Sequence, residues 1–409
     1  MEDEFLYDGF SSLAIHAGHQ KGSNNAHVTP VYATSSYVFD NAEQGMKIFS
    51  GEEKGYVYAR FGNPVAAEAE EKIALMEGFK IGEGQTNLAL KAILHSSGMA
   101  AISTLLFMNL QNGDKVLTHY SLYGGTDELL QNLLPLFGIT SVMADLNNLE
   151  KVDRLLKSDP SIRMIYVETP SNPTLRCVDL KALSSLAKQY RALIACDNTV
   201  ATPYLQQPFK YGVDFVIHST TKFLNGHGTA VGGILIGRDV ELMSSKGRKT
   251  NSLLGSNSNP FDTFLLINGL KTLELRMKQH CNNATIVSTF LNNHPSVASV
   301  NYNGLPLHPD FELSKKQMRH AGAILSFELK EGIKAGIKFI DKLNMCTRAV
   351  SLGTCDTLVS HPASMSHAGV SRDLREKYGI TDGLIRMSVG IENSDDILAD
   401  LEQALVPDK

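Results

Sequence analysis

The chain has little that would suit a membrane, a nucleic acid or the extracellular space. No apolar run in its 409 residues reaches the roughly 20 residues that a membrane-spanning helix needs. Its formal net charge of −5 offers no excess of positive charge for nucleic acid or an anionic membrane. The N-terminal stretch Met1-Glu2-Asp3-Glu4 is acidic and lacks the basic and apolar regions of a signal peptide. We therefore expect no membrane partner and no nucleic-acid partner.

Cysteine is also scarce, and its pattern excludes two kinds of stabilising site. The cysteines are odd in number, scattered along the chain and without a Cys-x-x-Cys pair, whereas a disulfide framework or a zinc site needs paired spacing. His218 and His227 have no cysteine or carboxylate at ligand spacing, so no metal is expected. Reduced thiols favour a cytoplasmic location. The five residues are Cys177, Cys196, Cys281, Cys346 and Cys355.

The most informative segment that is present surrounds Lys222. An apolar run, Phe215-Val216-Ile217, predicts a short buried strand that leads through small hydroxyl residues to Lys222. A second run, Leu193-Ile194-Ala195-Cys196, ends in Asp197. If both are parallel strands of one sheet, Asp197 and Lys222 meet at its carboxyl edge, where open α/β sheets bind ligands.

An amine, a carboxylate and hydroxyl groups at one sheet edge are what pyridoxal 5′-phosphate (PLP) requires. That cofactor uses a lysine for a Schiff base, an acid for its ring nitrogen and donors for its phosphate. The alternative interpretation, a surface lysine after a buried strand, is less favoured with Asp197 in place.

The organisation of the chain is that of a large α/β enzyme. Residues 1–64 have little helical periodicity and predict an extended arm that lies on another subunit. Residues 65–260 alternate helical and strand-like segments, which predicts a mostly parallel sheet with helices on both faces. Residues 261–409 predict a smaller α+β domain. It opens with one long helix near Phe261, because leucines recur at helical spacing as far as Met277.

Short motifs along nearly the whole chain resemble the Cys/Met-metabolism (trans-sulfuration) family of PLP enzymes. The resemblance implies the aspartate-aminotransferase type of fold, known as fold type I. Each motif is weak alone, but all stand in the expected order: Tyr58-Ala59-Arg60-Phe61-Gly62-Asn63-Pro64, Ser97-Gly98-Met99-Ala100-Ala101-Ile102, Tyr123-Gly124-Gly125-Thr126, Glu168-Thr169-Pro170-Ser171-Asn172-Pro173, Asp197-Asn198-Thr199, the Lys222 segment, Ser351-Leu352-Gly353, His361-Pro362-Ala363-Ser364-Met365-Ser366-His367 and Arg386-Met387-Ser388-Val389-Gly390.

The resemblance implies that PLP is held at its ring nitrogen, its aldehyde and its phosphate. Lys222 would carry the cofactor and move protons once the substrate amine has displaced it, and Asp197 would pair with the ring nitrogen. Ser219 and Thr221 would donate to the phosphate. Backbone N–H groups of Gly98 and Met99, at the start of a helix, would donate to it as well.

The remaining implied roles involve the substrate and a second subunit. Tyr123 would stack on the cofactor ring and help proton transfer at the departing γ-group. Tyr58 and Arg60 would reach the phosphate of the neighbouring subunit, so that a homodimer is the catalytic unit, within an expected tetramer.

Substrate recognition is implied for three further residues. Arg386 would bind the α-carboxylate of a small amino-acid substrate, because its planar guanidinium fits a carboxylate in a bidentate manner. Ser351 and Asn172 would assist it. A non-catalytic binding protein on this fold would not need Lys222, Asp197 and Arg386 together, and the motif set disfavours an aminotransferase.

The choice of reaction is less well determined than the family. Gly125 stands where methionine γ-lyases typically carry cysteine, and Val350 stands where cystathionine γ-lyases typically carry glutamate. These residues favour γ-replacement on an O-acyl-L-homoserine, with sulfide or cysteine as the incoming group, and thus a transferase. The 361–367 and 379–384 segments look lyase-like, which keeps methionine γ-lyase as the alternative and the cystathionine lyases behind it. The acyl group and the sulfur donor stay open.

Overall fold

The computed structural model describes residues 7–19, 25–365, 368, 372–377 and 379–406. His367, in one of the family motifs, lies outside these residues. The helices are α1 Phe10–His16, α2 Ala42–Ser50, α3 Pro64–Glu77, α4 Gly98–Asn109, α5 Gly124–Glu128, α6 Leu149–Ser158, α7 Leu180–Gln189, α8 Thr202–Leu205, α9 Val240–Leu242, α10 Arg248–Leu254, α11 Pro260–Leu270, α12 Leu273–Asn293, α13 Phe311–Gln317, α14 Gly332–Lys342, α15 Arg372–Lys377 and α16 Ser394–Leu405. The strands are β1 Lys91–His95, β2 Lys115–Thr118, β3 Thr140–Met143, β4 Ile162–Glu168, β5 Leu193–Asp197, β6 Phe215–His218, β7 Gly233–Gly237, β8 Val297–Asn301, β9 Ile324–Leu329, β10 Thr347–Arg348, β11 Leu358–Ser360 and β12 Leu384–Ser388.

A seven-stranded sheet forms the centre of the chain, in the order β1-β7-β6-β5-β4-β2-β3. Strands β2 to β6 are parallel, and β7 runs antiparallel to both β1 and β6. The apolar run of β6 is buried on both faces, as strands covered by helices on both sides require. The sheet is therefore mostly parallel, as predicted, with an antiparallel pair toward one edge.

The register of the central strands brings their carboxyl ends together. Glu168, the last residue of β4, pairs with Asp197, the last residue of β5, and Asp197 pairs in turn with Ile217 of β6. Chain segments that leave these ends therefore face one another at one edge of the sheet.

A second sheet has five strands, in the order β10-β11-β12-β9-β8. Arg386, on β12, lies opposite Ser326 of β9 and Ser360 of β11. The side chain thus starts from a central strand in the interior of this sheet, which restricts where the guanidinium can reach.

The predicted long helix beyond Phe261 is wrong in its continuity. It is two helices, α11 and α12, interrupted where Thr272 adopts φ −109° and ψ 7°. The guanidinium of Arg276 donates to the Gly269 carbonyl at 2.7 Å, and Arg276 Nε donates to Thr272 Oγ1 at 3.0 Å. A side chain thus satisfies a carbonyl that a continuing helix would pair with a backbone N–H. The apolar periodicity crosses the break because Leu266 and Leu270 of α11 and Leu273 and Met277 of α12 are all buried.

The N-terminal segment divides into two differently packed parts. Phe10 and Leu13 of α1 are buried in the core of their own chain. Farther along, Val38 is 98% exposed, and Met46 and Phe49 are also largely exposed. The most exposed apolar side chains of the described N-terminal segment lie in the second part, as expected of an arm that lies on a neighbour. Within the described part of the chain, no helix is both long and apolar enough to cross a lipid bilayer.

Candidate active site

A cavity of about 250 Å³ lies at the carboxyl ends of β4, β5 and β6, beside the start of α4. It brings together residues that are far apart in the sequence, as the carboxyl edge of an α/β sheet commonly does. It is lined by Ser97, Gly98, Met99, Ile102, Tyr123, Glu168, Pro170, Asn172, Asp197, Thr199, Val200, Ser219, Thr221, Lys222, Val231 and Leu352. Most of the residues predicted for the site are among them.

Lys222 is held in the cavity as a partly desolvated amine. Its Nζ donates to Ser351 Oγ at 2.7 Å. Burial, with a contribution from the nearby Arg386 cation, lowers the pKa of Lys222 to about 8. A larger fraction of the amine is therefore neutral at physiological pH than for an ordinary lysine, which suits a nucleophile and proton carrier.

Asp197 is fixed by two neighbours at the end of β5. Thr199 N donates to its Oδ1 at 3.0 Å, and the Tyr166 hydroxyl donates to Oδ2 at 3.4 Å. Burial raises the pKa of Asp197 above its ordinary value. A protonated pyridine nitrogen beside the carboxylate would stabilise its charged form, because opposite charges at short range favour ionisation.

Glu168, at the end of β4, belongs to the framework of the site, as its motif suggested. The Tyr123 backbone N–H donates to both oxygens of Glu168, at 2.9 and 3.0 Å. Burial and the neighbouring Asp197 carboxylate raise the pKa of Glu168 well above its usual range. The side chain thus fixes the backbone at Tyr123. Its position in the Glu-Thr-Pro motif was the available signal.

The end of the cavity assigned to the phosphate is built by close approach of two segments. Ser97 caps α4 by accepting from Ala100 N at 3.1 Å, which leaves the N–H groups at the start of that helix facing outward. A Cβ at Gly98 would lie 2.9 Å from the Cβ of Ser219, so only glycine allows this approach. Thr221 Oγ1 accepts from Gly232 N at 3.0 Å and donates to Gly232 O at 3.2 Å, so its hydroxyl would have to rotate to donate to a phosphate.

Tyr123 lies at the mouth of the cavity with 56% of its surface exposed. A Cβ at Gly125 would lie 2.7 Å from Tyr123 Cε1 and 3.0 Å from Met99 Sδ. The absence of a side chain at Gly125 therefore allows the tyrosine ring to lie over it.

Arg386 is a buried cation with an unused donor. Its Nη2 donates to the Ser351 carbonyl at 2.5 Å, while its Nε is buried without a hydrogen-bond partner. Burial lowers the pKa of Arg386 to about 10. Asn172 Oδ1 is also buried and unpartnered. Arg386 does not line the cavity, but it contacts Ser351, the residue that binds Lys222, and can thus bind an anion beside the lysine.

Tyr58 and Arg60 lie away from the cavity of their own chain. Arg60 Nη1 donates to the Ser252 carbonyl at 2.8 Å, and its guanidinium lies 4.6 Å from the centre of the Phe61 ring. Tyr58 is 43% exposed. The family resemblance assigns these residues to the site of a neighbouring subunit. Within one chain they do not line the cavity with the other predicted site residues.

The residues of the cavity fit PLP. Asp197 lies where a ring nitrogen needs an acid, and Lys222 supplies an amine for the aldehyde. The cradle between Gly98 and Ser219, which a Cβ would fill, leaves room for a phosphate at the start of α4.

Comparisons with known proteins agree with this fit. The model of the Cys/Met metabolism PLP-dependent enzyme family matches residues 11–406. An L-methionine γ-lyase of Fusobacterium nucleatum subsp. nucleatum is 45% identical over 98% of this chain and 99% of its own length. An O-succinylhomoserine sulfhydrylase of Pseudomonas aeruginosa is 37% identical over 97% of this chain and 95% of its own.

A solved structure extends the similarity to the fold. Cystathionine γ-synthase of Xanthomonas oryzae pv. oryzae, in complex with cystathionine, has a TM-score of 0.89 and 36% identity, covering 97% of each chain. The chain therefore belongs to the Cys/Met-metabolism family of PLP-dependent enzymes, has fold type I and uses PLP as its cofactor.

Proposed function

We propose that this chain catalyses γ-elimination of L-methionine, which yields 2-oxobutanoate, ammonia and methanethiol. The observation that carries the proposal is the 45% identity, over nearly the full length of both chains, to an L-methionine γ-lyase. Identity to the O-succinylhomoserine sulfhydrylase is lower, at 37%. The motifs favoured γ-replacement and kept methionine γ-lyase as the alternative. The comparisons support this alternative better.

In this proposal the residues of the cavity bind the substrate and move its protons. PLP, when bound, withdraws electrons from the substrate α-carbon. Arg386 and Asn172 hold the α-carboxylate. Lys222, with its lowered pKa, takes the proton from the α-carbon and then from the β-carbon. Tyr123 delivers a proton to the departing sulfur.

The lining of the cavity favours a small thioether over a second charged group. Met99, Ile102, Val200, Val231 and Leu352 provide apolar surface, which suits a methylthio group. Among the lining residues that the structure describes, Lys222 is the only basic side chain. O-succinylhomoserine and cystathionine each carry a further carboxylate, and burying it without a cation is unfavourable.

γ-Replacement remains a second candidate because of Gly125. A cysteine at this position would place its Cβ 2.7 Å from the Tyr123 ring. In a lyase with cysteine at this position, the ring of Tyr123 would therefore have to lie elsewhere than it does here.

Product analysis distinguishes the two candidates. We expect kcat/KM for 2-oxobutanoate formation from L-methionine to exceed that for O-succinylhomoserine with sulfide by at least roughly tenfold, or about 1.4 kcal/mol in the transition state. The reason is that the described lining of one chain has no cation besides Lys222, while Arg60 of a second copy is assigned to the phosphate. O-acetylhomoserine, which has no such carboxylate, is the control. Faster formation of homocysteine from either ester would favour γ-replacement instead.

The association of PLP with the apoprotein should depend on pH through Lys222. Only the neutral amine attacks an aldehyde, so a pKa of about 8 predicts a rate that rises with pH up to about 8 and then levels. At pH 7 roughly one-tenth of such an amine is neutral, against less than one-thousandth for an ordinary lysine. Stopped-flow absorbance from pH 6 to 10 measures this. A rate still rising tenfold per pH unit above pH 9 would show an unperturbed lysine.

We also propose that a homodimer is the catalytic unit. Tyr58 and Arg60 lie outside the cavity of their own chain, in a segment whose Val38, Met46 and Phe49 are largely exposed. A second copy of the chain would cover this apolar surface and bring Arg60 to the phosphate end of its cavity. Size-exclusion chromatography with light scattering tests the assembly.

A further inference from the structure

One buried oxygen joins the two strands that carry the ends of the PLP site. Glu77 is the last residue of α3 and is fully buried. Its Oε1 accepts from His218 Nε2 at 2.6 Å and from Asn198 Nδ2 at 3.0 Å. None of these three side chains lines the cavity.

The two donors hold opposite ends of the cofactor site. Asn198 directly follows Asp197, the residue assigned to the ring nitrogen. His218 directly precedes Ser219, which begins the segment assigned to the phosphate and leading to Lys222. The Glu77 carboxylate therefore binds the residue next to each anchor.

Further buried hydrogen bonds extend this contact to the third strand of the site. Gln206 Nε2 donates to Asn198 Oδ1 at 3.0 Å and to the Thr169 carbonyl, next to Glu168, at 2.9 Å. Glu77, Asn198 and His218 have no exposed surface, and Gln206 has 1%. A buried carboxylate is costly unless it is paired and hydrogen-bonded. Both donors to Glu77 Oε1 lie next to residues assigned to the site, which points to a role in geometry.

We propose that Glu77 is a positioning residue that fixes the distance between the ring-nitrogen anchor, Asp197, and the phosphate anchor that begins at Ser219. The inference rests on the roles assigned to Asp197 and Ser219 in the proposed function. Two anchors on one rigid ligand strengthen each other only when both can engage at once. Glu77 contributes to this condition by binding the side chains of Asn198 and His218, in addition to the backbone pairing of β5 with β6.

The test compares the affinities of two probes for the apoprotein. PLP and its analogue with a carbon in place of the ring nitrogen share the phosphate and the aldehyde that Lys222 would bind. The analogue therefore lacks only the contact with Asp197. The probe ratio is the dissociation constant of the analogue divided by that of PLP. A large probe ratio means that Asp197 is well aligned with a bound phosphate. Equilibrium dialysis gives both constants without any enzymatic turnover.

Substitutions at Glu77 separate geometry from charge. Glu77→Asp withdraws the acceptor by about 1.5 Å and should lower the probe ratio at least roughly tenfold, a misalignment effect of the expected size. Glu77→Gln keeps an acceptor at the same distance and should keep the ratio within about threefold of wild type. Glu70→Asp is the matched control, since Glu70 is a buried carboxylate of the same helix that binds Leu94 N and Arg248. It should leave the ratio unchanged.

The possible outcomes distinguish this inference from the proposed function. An unchanged ratio in Glu77→Asp would overturn the positioning role alone. A wild-type ratio near one would overturn the role of Asp197, and the inference with it. If Glu77→Asp does not fold, Asn198→Ala removes the Glu77 bond on the Asp197 side, together with the contacts of Asn198 to Gln206, and leaves the bond to His218. It should lower the ratio in the same direction. If the probe ratio of Asn198→Ala equals that of the wild-type protein, the inference is overturned as well.

Discussion

Replacing Lys222 with alanine is expected to abolish turnover and remove the absorption band of the lysine-linked cofactor. General acid–base catalysis by one group contributes roughly 10²- to 10⁴-fold, and Lys222 is also assigned to attach the cofactor, so a loss of at least about 10⁴-fold in kcat is expected. The side-chain contacts of Asp197 do not involve the Lys222 side chain, and the backbone bond from Lys222 N to the Ser219 carbonyl survives the change, so Lys222→Ala should still bind PLP noncovalently. Steady-state kinetics and the visible absorption spectrum measure these effects.

The chain contains an internal control for this prediction. Lys72 is fully buried, and burial lowers its pKa to about 8, the same value as for Lys222. Its Nζ donates to the Ile15 carbonyl at 3.2 Å and does not line the cavity. Reduction of the wild-type enzyme with borohydride should therefore fix the cofactor on the peptide of Lys222 and leave Lys72 unlabelled. Label on Lys72 would show that amine reactivity follows pKa alone, and the assignment of Lys222 would be wrong.

The second large effect is the recovery of activity when two inactive chains are mixed. Arg60→Ala should be inactive if Arg60 completes the phosphate pocket of a neighbour, and Lys222→Ala should be inactive in its own cavity. In a mixed dimer both defects fall on one site and the other site is intact. Random assembly of equal amounts makes half of the dimers mixed, so about a quarter of wild-type activity should return.

Two controls make this recovery interpretable. Chains carrying different affinity tags confirm that mixed dimers have formed. Asp197→Ala mixed with Lys222→Ala serves as the contrast, because both residues line the cavity of one chain. That mixture should gain nothing, since each site of a mixed dimer then carries one defect. If Arg60→Ala behaves like Asp197→Ala in confirmed mixed dimers, Arg60 acts within its own chain.

Much of the site could be predicted from the sequence because its residues follow local patterns. Asp197 and the segment leading to Lys222 come directly after short apolar runs, and strands of that kind end at one sheet edge. Gly98 follows a serine at the start of an apolar helix, which is the pattern of a capped helix that presents free N–H groups. These features depend on residues that are close in the sequence, so they can be predicted without knowledge of the fold.

The sequence was a weaker guide to the choice of reaction. Gly125 and Val350 favoured γ-replacement, whereas the 45% identity to a γ-lyase supports elimination. The effect of Gly125 on the reaction depends on the Tyr123 ring and Met99, which pack around it. The residue type at position 125 alone does not specify that packing.

By itself, the sequence predicted a PLP enzyme with a mostly parallel α/β fold, and it assigned a lysine, an aspartate and a helix start to the cofactor. Only the tertiary structure decided which distant groups touch. Lys222 binds Ser351, which lies between β10 and β11, and Glu77 joins Asn198 to His218. Periodicity and motifs record interactions between near neighbours in the chain. A hydrogen bond between residues more than a hundred positions apart, such as that of Glu77 with His218, leaves no local pattern, because only packing of the whole fold brings its two partners together.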